Sequence, residues 1–590
     1  MSNIKSVILF FLLLGCAGIV SGAPLPDEAP PNPTEAALQL DVILEGVEGG
    51  IKNNILSYLS IEQQKNHPNL SEGRIYRLHQ KAIGEIKNAM QPFGYYEAEI
   101  KSRLEHEGKK WTAKYVIETG RPVLVLKIDI QIAGEGAQDK RFQRLIRDFP
   151  LHEGDILDHG LYENGRDAFL QLATERGYFD IQLLTHEVSV QPQEYSAAVR
   201  LHIDTGKRYK FGKLIFRQDV LDEKLVNRFI KINQGDPYST DQLLEIQNAL
   251  TDSDYFSQVD VRGNRELAEG DEIPVEITLL PRKKYRYTLG FGYGTDTGPR
   301  GTLGWENRHI NKRGHRLNAE LKASEIKNSV TGRYEIPIRN PITDNVSLTA
   351  AWVQDDPKSS TSETLLWGIS RTLSRRTHWL ETVYVNYQSE SFEVAGIEKQ
   401  SVLVLPGINW SRIKADDRIT TRHGSRLFLD LKTGLGSDTN LVQARLHGKV
   451  VTSAGEGSRL ILRSDIGASD TSDFKELPAS LRFFTGGDNT VRGYSYNSLG
   501  PLNSSGEVVG GNHLLVGSIE YEHRISGKWS GAVFYDAGNA MNDFSEDLKH
   551  GAGIGLRWKS LIGPIRLDYA LALSNPGNPA RIHLLIGPDL

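Results

Sequence analysis

Two periodicities divide this chain. From Tyr285 onward, apolar and polar positions alternate with a period of two. Over 285–294, Tyr285, Tyr287, Leu289, Phe291 and Tyr293 share one face, and Arg286, Thr288, Gly290, Gly292 and Gly294 share the other. The alternation returns at 554–559, where Ile554, Leu556 and Trp558 oppose Gly555, Arg557 and Lys559. At 565–569, Ile565, Leu567 and Tyr569 oppose Arg566 and Asp568. Successive side chains of a strand point to opposite faces, so each run predicts a strand with one apolar face. In a soluble sandwich that face packs on a second sheet; its aromatic content also suits lipid and interfacial girdles. About sixteen such runs fit, and an even number suits a closed antiparallel barrel with both ends on one side.

Before residue 283 the pattern is mixed and repeats. The segments FGYYEAEI (93–100), RGYFDIQL (176–183) and SDYFSQVDV (253–261) each bring a Tyr-aromatic pair into an alternating strand, and Tyr95, Tyr178 and Tyr255 lie 83 and 77 residues apart. IETGRP (117–122) and IDTGKR (203–208) end two of the units, and EGD (153–155) and QGD (234–236) open matching helices. Each unit reads strand, helix, helix, strand, strand. In the helix over 74–90, Ile75, Leu78, Ile83, Ile86 and Met90 recur at nearly helical spacing. The expected organisation is a signal peptide over 1–22, a first unit with its linker over 23–120, further units over 121–206 and 207–282, and a barrel over 283–590.

Composition narrows the class. Hydrophobic residues make up 39% of the 590, the mean hydropathy is −0.38, and no apolar run is long enough for a spanning helix, which excludes a polytopic helical membrane protein. A barrel passes as soluble by composition because only alternate strand residues meet lipid. The formal charge of −5 gives no reason to expect nucleic acid. The one cysteine, Cys16, lies in an apolar run over 7–20 that follows Lys5, so the mature chain has no disulfide and no thiolate metal site. Cleavage after Gly22 fits the small-residue rule; Leu13-Leu14-Gly15-Cys16 offers lipidation as the rival.

Turn lengths predict the barrel's orientation. With the N-terminal units in the periplasm, connections after odd strands are external and longer, and the longest, 469–512, follows strand eleven. It carries GGDNTVRGYSYNSLGP, and the next strands supply FYDAG at 534–538. Alternation turns Asp536, Glu520 and Glu522 into the lumen, where an arginine on an infolded loop has a carboxylate to meet. No G-x-S-x-G, H-E-x-x-H or Walker loop is present, so no enzyme, cofactor or metal constellation competes. The sixteen histidines, His79, His152, His309 and His583 among them, are scattered and read as polar surface residues.

Val491-Arg492-Gly493-Tyr494, then Phe534, Asp536 and Gly538, then the closing GIGLRW and GPIRLDYA resemble the signature of the BamA/TamA superfamily of outer-membrane assembly factors and transporters. The three repeats resemble POTRA domains. Three units and this length are similar to the TamA branch, the translocation and assembly module subunit; BamA would have five units, and two-partner secretion transporters two with a plug helix. The resemblance implies a β-barrel membrane protein of about sixteen antiparallel strands with N-terminal α+β POTRA-like domains. It places Arg492 in the lumen, holding the long loop against the Asp536 strand. It implies insertion or secretion of autotransporters and other outer-membrane β proteins at a weak seam between the first and last strands. The partners it implies are those clients, outer-membrane lipid and an inner-membrane-anchored TamB-like protein. The alternative is a two-partner-type transporter moving one dedicated substrate through the lumen. The closing IHLLIGPDL departs from the aromatic ending of many barrels, and Pro588 and Leu590 weaken the final strand. A trial register across the seam sets Leu289 against Leu584.

Overall fold

The computed structural model describes residues 38–375, 378–417, 419–560 and 563–587. The expected signal peptide with Cys16 and Gly22, most of the expected linker, Pro588 and Leu590 lie outside them. Three small sheets precede the barrel. The first unit runs β1 (Gln39–Glu45), α1 (Gly49–Tyr58), α2 (Ser60–Gln63), α3 (Glu72–Met90), β2 (Glu99–Glu107) and β3 (Lys110–Glu118). The second runs β4 (Leu124–Ala133), α4 (Lys140–Arg147), α5 (His159–Arg176), β5 (Gln182–Gln191) and β6 (Ser196–Asp204). The third runs β7 (Lys210–Arg217), α6 (Glu223–Val226), α7 (Thr240–Asp252), β8 (Phe256–Gly263) and β9 (Glu272–Pro281). In each sheet the unit's last strand is central, parallel to the first and antiparallel to the second. A parallel pair needs a long crossover, and the helices supply it.

α3 shows how pattern becomes packing. Ile75, Leu78, Ala82, Ile86, Ala89 and Met90 are buried in one stripe, while Ile83 is only half-buried. Gly94, at φ 82°, stops the chain in a left-handed conformation that costs glycine nothing. EGD and QGD form turns ahead of α5 and α7 rather than their first residues: Asp155 and Asp236 accept the backbone N–H of His152 and Asn233. Contacts group the chain into two compact units. One runs to Ala173 and takes in Asp180–Gly206; the other takes Thr174–Phe179 and everything from Lys207.

Within the second unit the third sheet is clamped to the barrel. Asp254 sits at φ 62° and accepts from Arg308 at 2.8 Å and from Arg282. Burial works against its charge, but Arg308, with Arg282 and Arg286, holds its carboxyl below the usual range. Tyr255, buried in the third unit's core, donates its hydroxyl to the Gly314 carbonyl at 2.6 Å. Arg316 stacks 4.4 Å over the same ring and donates to the Ser253 carbonyl. Tyr178 is likewise buried and Tyr95 half-buried, so the repeated tyrosine is a core residue.

The barrel closes with sixteen strands among the described residues. These are β10 (Tyr285–Gly294), β11 (Gly298–Asn307), β12 (Arg316–Ala323), β13 (Lys327–Pro337), β14 (Asp344–Asp355), β15 (Ser360–Ser374), β16 (Leu380–Val394), β17 (Ile397–Ala415), β18 (Gly424–Gly436), β19 (Asn440–Ser453), β20 (Ser458–Thr471), β21 (His513–Ser526), β22 (Trp529–Met541), β23 (Lys549–Ser560), β24 (Gly563–Ala572) and β25 (Ala580–Ile586). Leu289 and Phe291 are 70% and 84% exposed on the outer face, as a lipid-facing strand requires. The longest connection, 472–512, does follow the eleventh strand, at the end opposite the third sheet. In the N-terminal half the expected length difference reverses: 308–315 and 416–423 are longer than 295–297 and 395–396. The reason is structural. The turn 308–315 carries the clamp to Asp254 and Tyr255, while β16 and β17, at 15 and 19 residues, continue as sheet where a loop was expected. A strand needs only about 9–11 residues to span.

The ladders are unequal. β15 pairs with β16 from Ser360 to Ser374. The closing pair, β10 with β25, is joined only at Tyr293–Ile586 and Gly294–Leu585, extended by the Thr295 N–H donating to the Leu584 carbonyl at 3.0 Å. The trial register therefore fails: Leu584 lies beside Thr295, six residues from Leu289. Over 285–292 the outer edge of β10 has no strand partner among the described residues.

Candidate functional site in the barrel lumen

The 472–512 loop turns back into the barrel and is fixed in two parts. Near its start, Leu477 and Leu481 pack on Leu403, Leu405 and Leu441, whose strands run on past the span. Arg482 gathers the loop by donating to the carbonyls of Lys475, Leu477 and Val509 at 2.9–3.1 Å. Ser480 is held by Glu390 and Gln388, and a bridge between Phe483 and Gly511 closes the loop's base.

The tip carries the Val491–Tyr494 motif, and each residue has a distinct task. Val491 is buried with Tyr494, Leu499 and Ala572. Gly493 sits at φ 96°, and a Cβ there would meet the backbone of Leu571 and Ala572 at 2.9–3.0 Å, so only glycine lets the tip lie this close to β24. The Tyr494 hydroxyl donates to the His550 carbonyl at 3.3 Å and accepts from the Ser574 N–H at 3.2 Å. Arg492, 3% exposed, is the centre. Its Nε and Nη2 grip Asp536 at 2.8 and 3.0 Å, and its Nη1 reaches Glu520 at 2.7 Å and Asp568 at 3.1 Å. The guanidinium lies 3.4 Å over the Phe534 ring. Gly538, two residues beyond Asp536, leaves no room for a Cβ against Val516.

Glu520, Glu522 and Asp536 all point inward, as alternation places them. Arg557 joins Glu520 at 2.7 Å, Glu522 at 3.3 Å and Asp568 at 2.5 Å. Arg459 takes Glu522 at 2.5 Å, and Arg463 lies 3.6 Å from Asp536. These four guanidiniums face four carboxylates. Removing such charges from water costs several kcal/mol each, roughly, and they persist because almost every oxygen is occupied by a donor. The sequence reading did not single out Arg557 and Asp568, although alternation had already turned both away from lipid.

A second cluster ties the loop to the seam. His583 on β25 is 2% exposed, which corrects its reading as a surface residue. Its Nε2 accepts the Gly493 N–H at 2.9 Å, so the ring proton sits on Nδ1, which donates to Asp488 at 2.5 Å. With Asp296 these residues have the spacing of a three-ligand cation site, but that tautomer leaves His583 no lone pair to offer. Asp296 follows β10, accepts the Asp488 N–H at 2.5 Å, and returns its own N–H to Asp488 at 3.3 Å. Arg581 on β25 donates to Ser495 at 2.6 Å. The loop thus grips both strands of the weakest ladder.

Comparison with known proteins bears on the family and the fold. A family model described as the Omp85 superfamily domain matches residues 285–589, one described as POTRA domain TamA domain 1 matches 41–119, and a POTRA model described as surface antigen variable number repeat matches 209–280. The outer membrane protein assembly factor BamA of Nitratidesulfovibrio vulgaris is 21% identical over 60% of this chain and 47% of its own length. The BamA of Neisseria meningitidis serogroup B is 22% identical over 66% and 58%. The chain thus spans about half to three-fifths of these relatives. BamA from Haemophilus ducreyi lacking POTRA domains 1–3 superposes with a TM-score of 0.68 at 16% identity, covering 79% of this chain and 99% of that one, a likeness of fold. With its matched domain covering the whole barrel, the chain belongs to the Omp85 superfamily, as an outer-membrane β-barrel with periplasmic POTRA domains.

Proposed function

We propose that this protein inserts or secretes other outer-membrane β proteins, autotransporters among them, by pairing their strands at the seam. The observation that carries the reading is the two-residue ladder between β10 and β25. Backbone groups left unpaired in lipid cost several kcal/mol each, roughly, so the free edge of β10 favours an incoming strand by β-augmentation. The lumenal charge network holds the long loop beside that edge, and the POTRA domains guide clients and dock an inner-membrane-anchored TamB-like partner. Cysteines at Tyr293 and Ile586, which face each other, test the seam. The oxidised barrel, verified by gel mobility, should lose client assembly and regain it on reduction; equal rates in both states reject seam pairing. Co-purification separates the alternative: a large inner-membrane-anchored partner supports assembly, and a single secreted substrate supports a dedicated transporter.

A further inference from the structure

The barrel wall away from the seam carries a groove of about 450 Å³ on its outer face. Its floor is one row across four strands: Glu381 on β16 lies opposite Trp410 on β17, Trp410 opposite Leu429 on β18, and Leu429 opposite Leu446 on β19. The row shares its face with exposed Val383 and Leu431, while Tyr384 and Asp430 meet each other on the lumenal side. The groove opens beside the β15–β16 turn, at the end of the barrel that bears the third POTRA sheet, which is the level of the inner leaflet. Aromatic pairs mark the same rim: Trp529 with Trp558, tilted at 6.1 Å, and Tyr285 with Trp305, stacked at 5.9 Å. Such aromatic belts sit at lipid headgroups.

The charges at the groove do not cancel. Glu381 is held by Arg375 at 2.7 Å and by the Trp410 indole N–H at 3.1 Å. Arg412, one step along β17 on the same face, lies 5.8 Å over Trp379, and its Nε is buried without a hydrogen-bond partner among the described residues. Among the described residues, two guanidiniums against one carboxylate leave a positive rim above the leucines Leu427, Leu429 and Leu446. A buried donor without an acceptor is costly, and the complement here is an anion with an apolar tail. We propose that the groove binds one glycerophospholipid of the inner leaflet, its phosphate on Arg412 and Arg375 and an acyl chain along the three leucines.

The test is native mass spectrometry of the full chain in neutral detergent, titrated with phosphatidylglycerol. The wild type should retain one lipid at the lowest lipid ratio. Arg412→Gln combined with Arg375→Gln should retain at least tenfold less, and Arg412→Gln alone should give an intermediate loss if the double variant fails to run as a folded barrel on a cold gel. Millimolar inorganic phosphate should not displace the lipid, and diacylglycerol should not be retained. Undiminished retention by a folded variant overturns the site, equal retention of diacylglycerol overturns the role of the phosphate, and displacement by inorganic phosphate overturns the role of the acyl chain.

Discussion

Replacing Arg492 by alanine removes the one cation among the described residues that touches Asp536, Glu520 and Asp568 together. Breaking a buried ion pair by deleting one partner costs about 3–5 kcal/mol, because the remaining charge stays buried and uncompensated. At about 1.4 kcal/mol per decade, the tip's protection from protease should fall by roughly two to three and a half decades. The structure also predicts where. Residues 474–483 keep Arg482, Ser480 and their apolar contacts, so new cuts should fall at 485–500 and spare the loop's start. Lysine should restore little, since one ammonium cannot grip Asp536 with two bonds, reach Glu520 and lie flat on Phe534. Combining Arg492→Ala with Asp536→Ala should cost less than the sum of the two, because the second change removes the orphaned carboxylate. Limited proteolysis of intact cells, with cleavage sites mapped by mass spectrometry, reads this directly. An unchanged pattern for a correctly inserted Arg492→Ala barrel would refute the claim that this residue holds the tip.

Burial, and after it the neighbouring Asp488, pushes the Asp296 carboxyl up to about 6. The docked loop therefore disfavours the ionised form: its hold is fullest below about pH 4 and declines as pH rises through 6, by at most about 3 kcal/mol. A cysteine at Asn497, normalised to one at exposed Ser505, should label faster at pH 8 than at pH 5, and Asp296→Asn should erase the difference; pH-independent labelling would count against it. Tyr255→Phe should lower the melting of the third POTRA domain by about 1 kcal/mol, the worth of the bond to Gly314, and Tyr255→Ala by about 3–5 kcal/mol, as measured on the full chain by circular dichroism. Because Arg308 and its neighbours depress the Asp254 carboxyl, that clamp is intact at neutral pH and loosens as acid protonates it; Asp254→Asn should reproduce the loosening at pH 7 in a hydrogen-exchange measurement over 308–316.

The strands are legible in the sequence because lipid on one side and water on the other force a period of two, and the same parity turns Asp536, Glu520 and Glu522 inward. Parity cannot say which inward charges meet. Arg557 reaches Asp568 only because Gly555, two residues before it, is the residue set opposite Asp568 across β23 and β24, a matter of register that neither strand encodes alone. His583 is hidden for a related reason: its partners lie 95 and 90 residues away on a loop, so no local spacing announces them. The seam register fails on the same ground, since the stagger on closing sixteen strands belongs to the whole barrel.

A cylinder with a single short ladder has a fault line. Strain from heat, pulling or bilayer thickness spreads evenly through the long ladders, such as Ser360–Val394 to Ser374–Leu380, but concentrates where two residue pairs hold the wall shut. Rupture should therefore begin at one known place and leave the other fifteen ladders as a continuous curved ribbon. Once the unpartnered edge amides of 285–292 are set aside, the Thr295 amide, bonded across the seam to Leu584, should exchange earliest among the hydrogen-bonded amides of the barrel wall. The molecule is in this sense hinged like a book rather than sealed like a pipe, with the Asp488–His583 contact as the clasp on its outer edge.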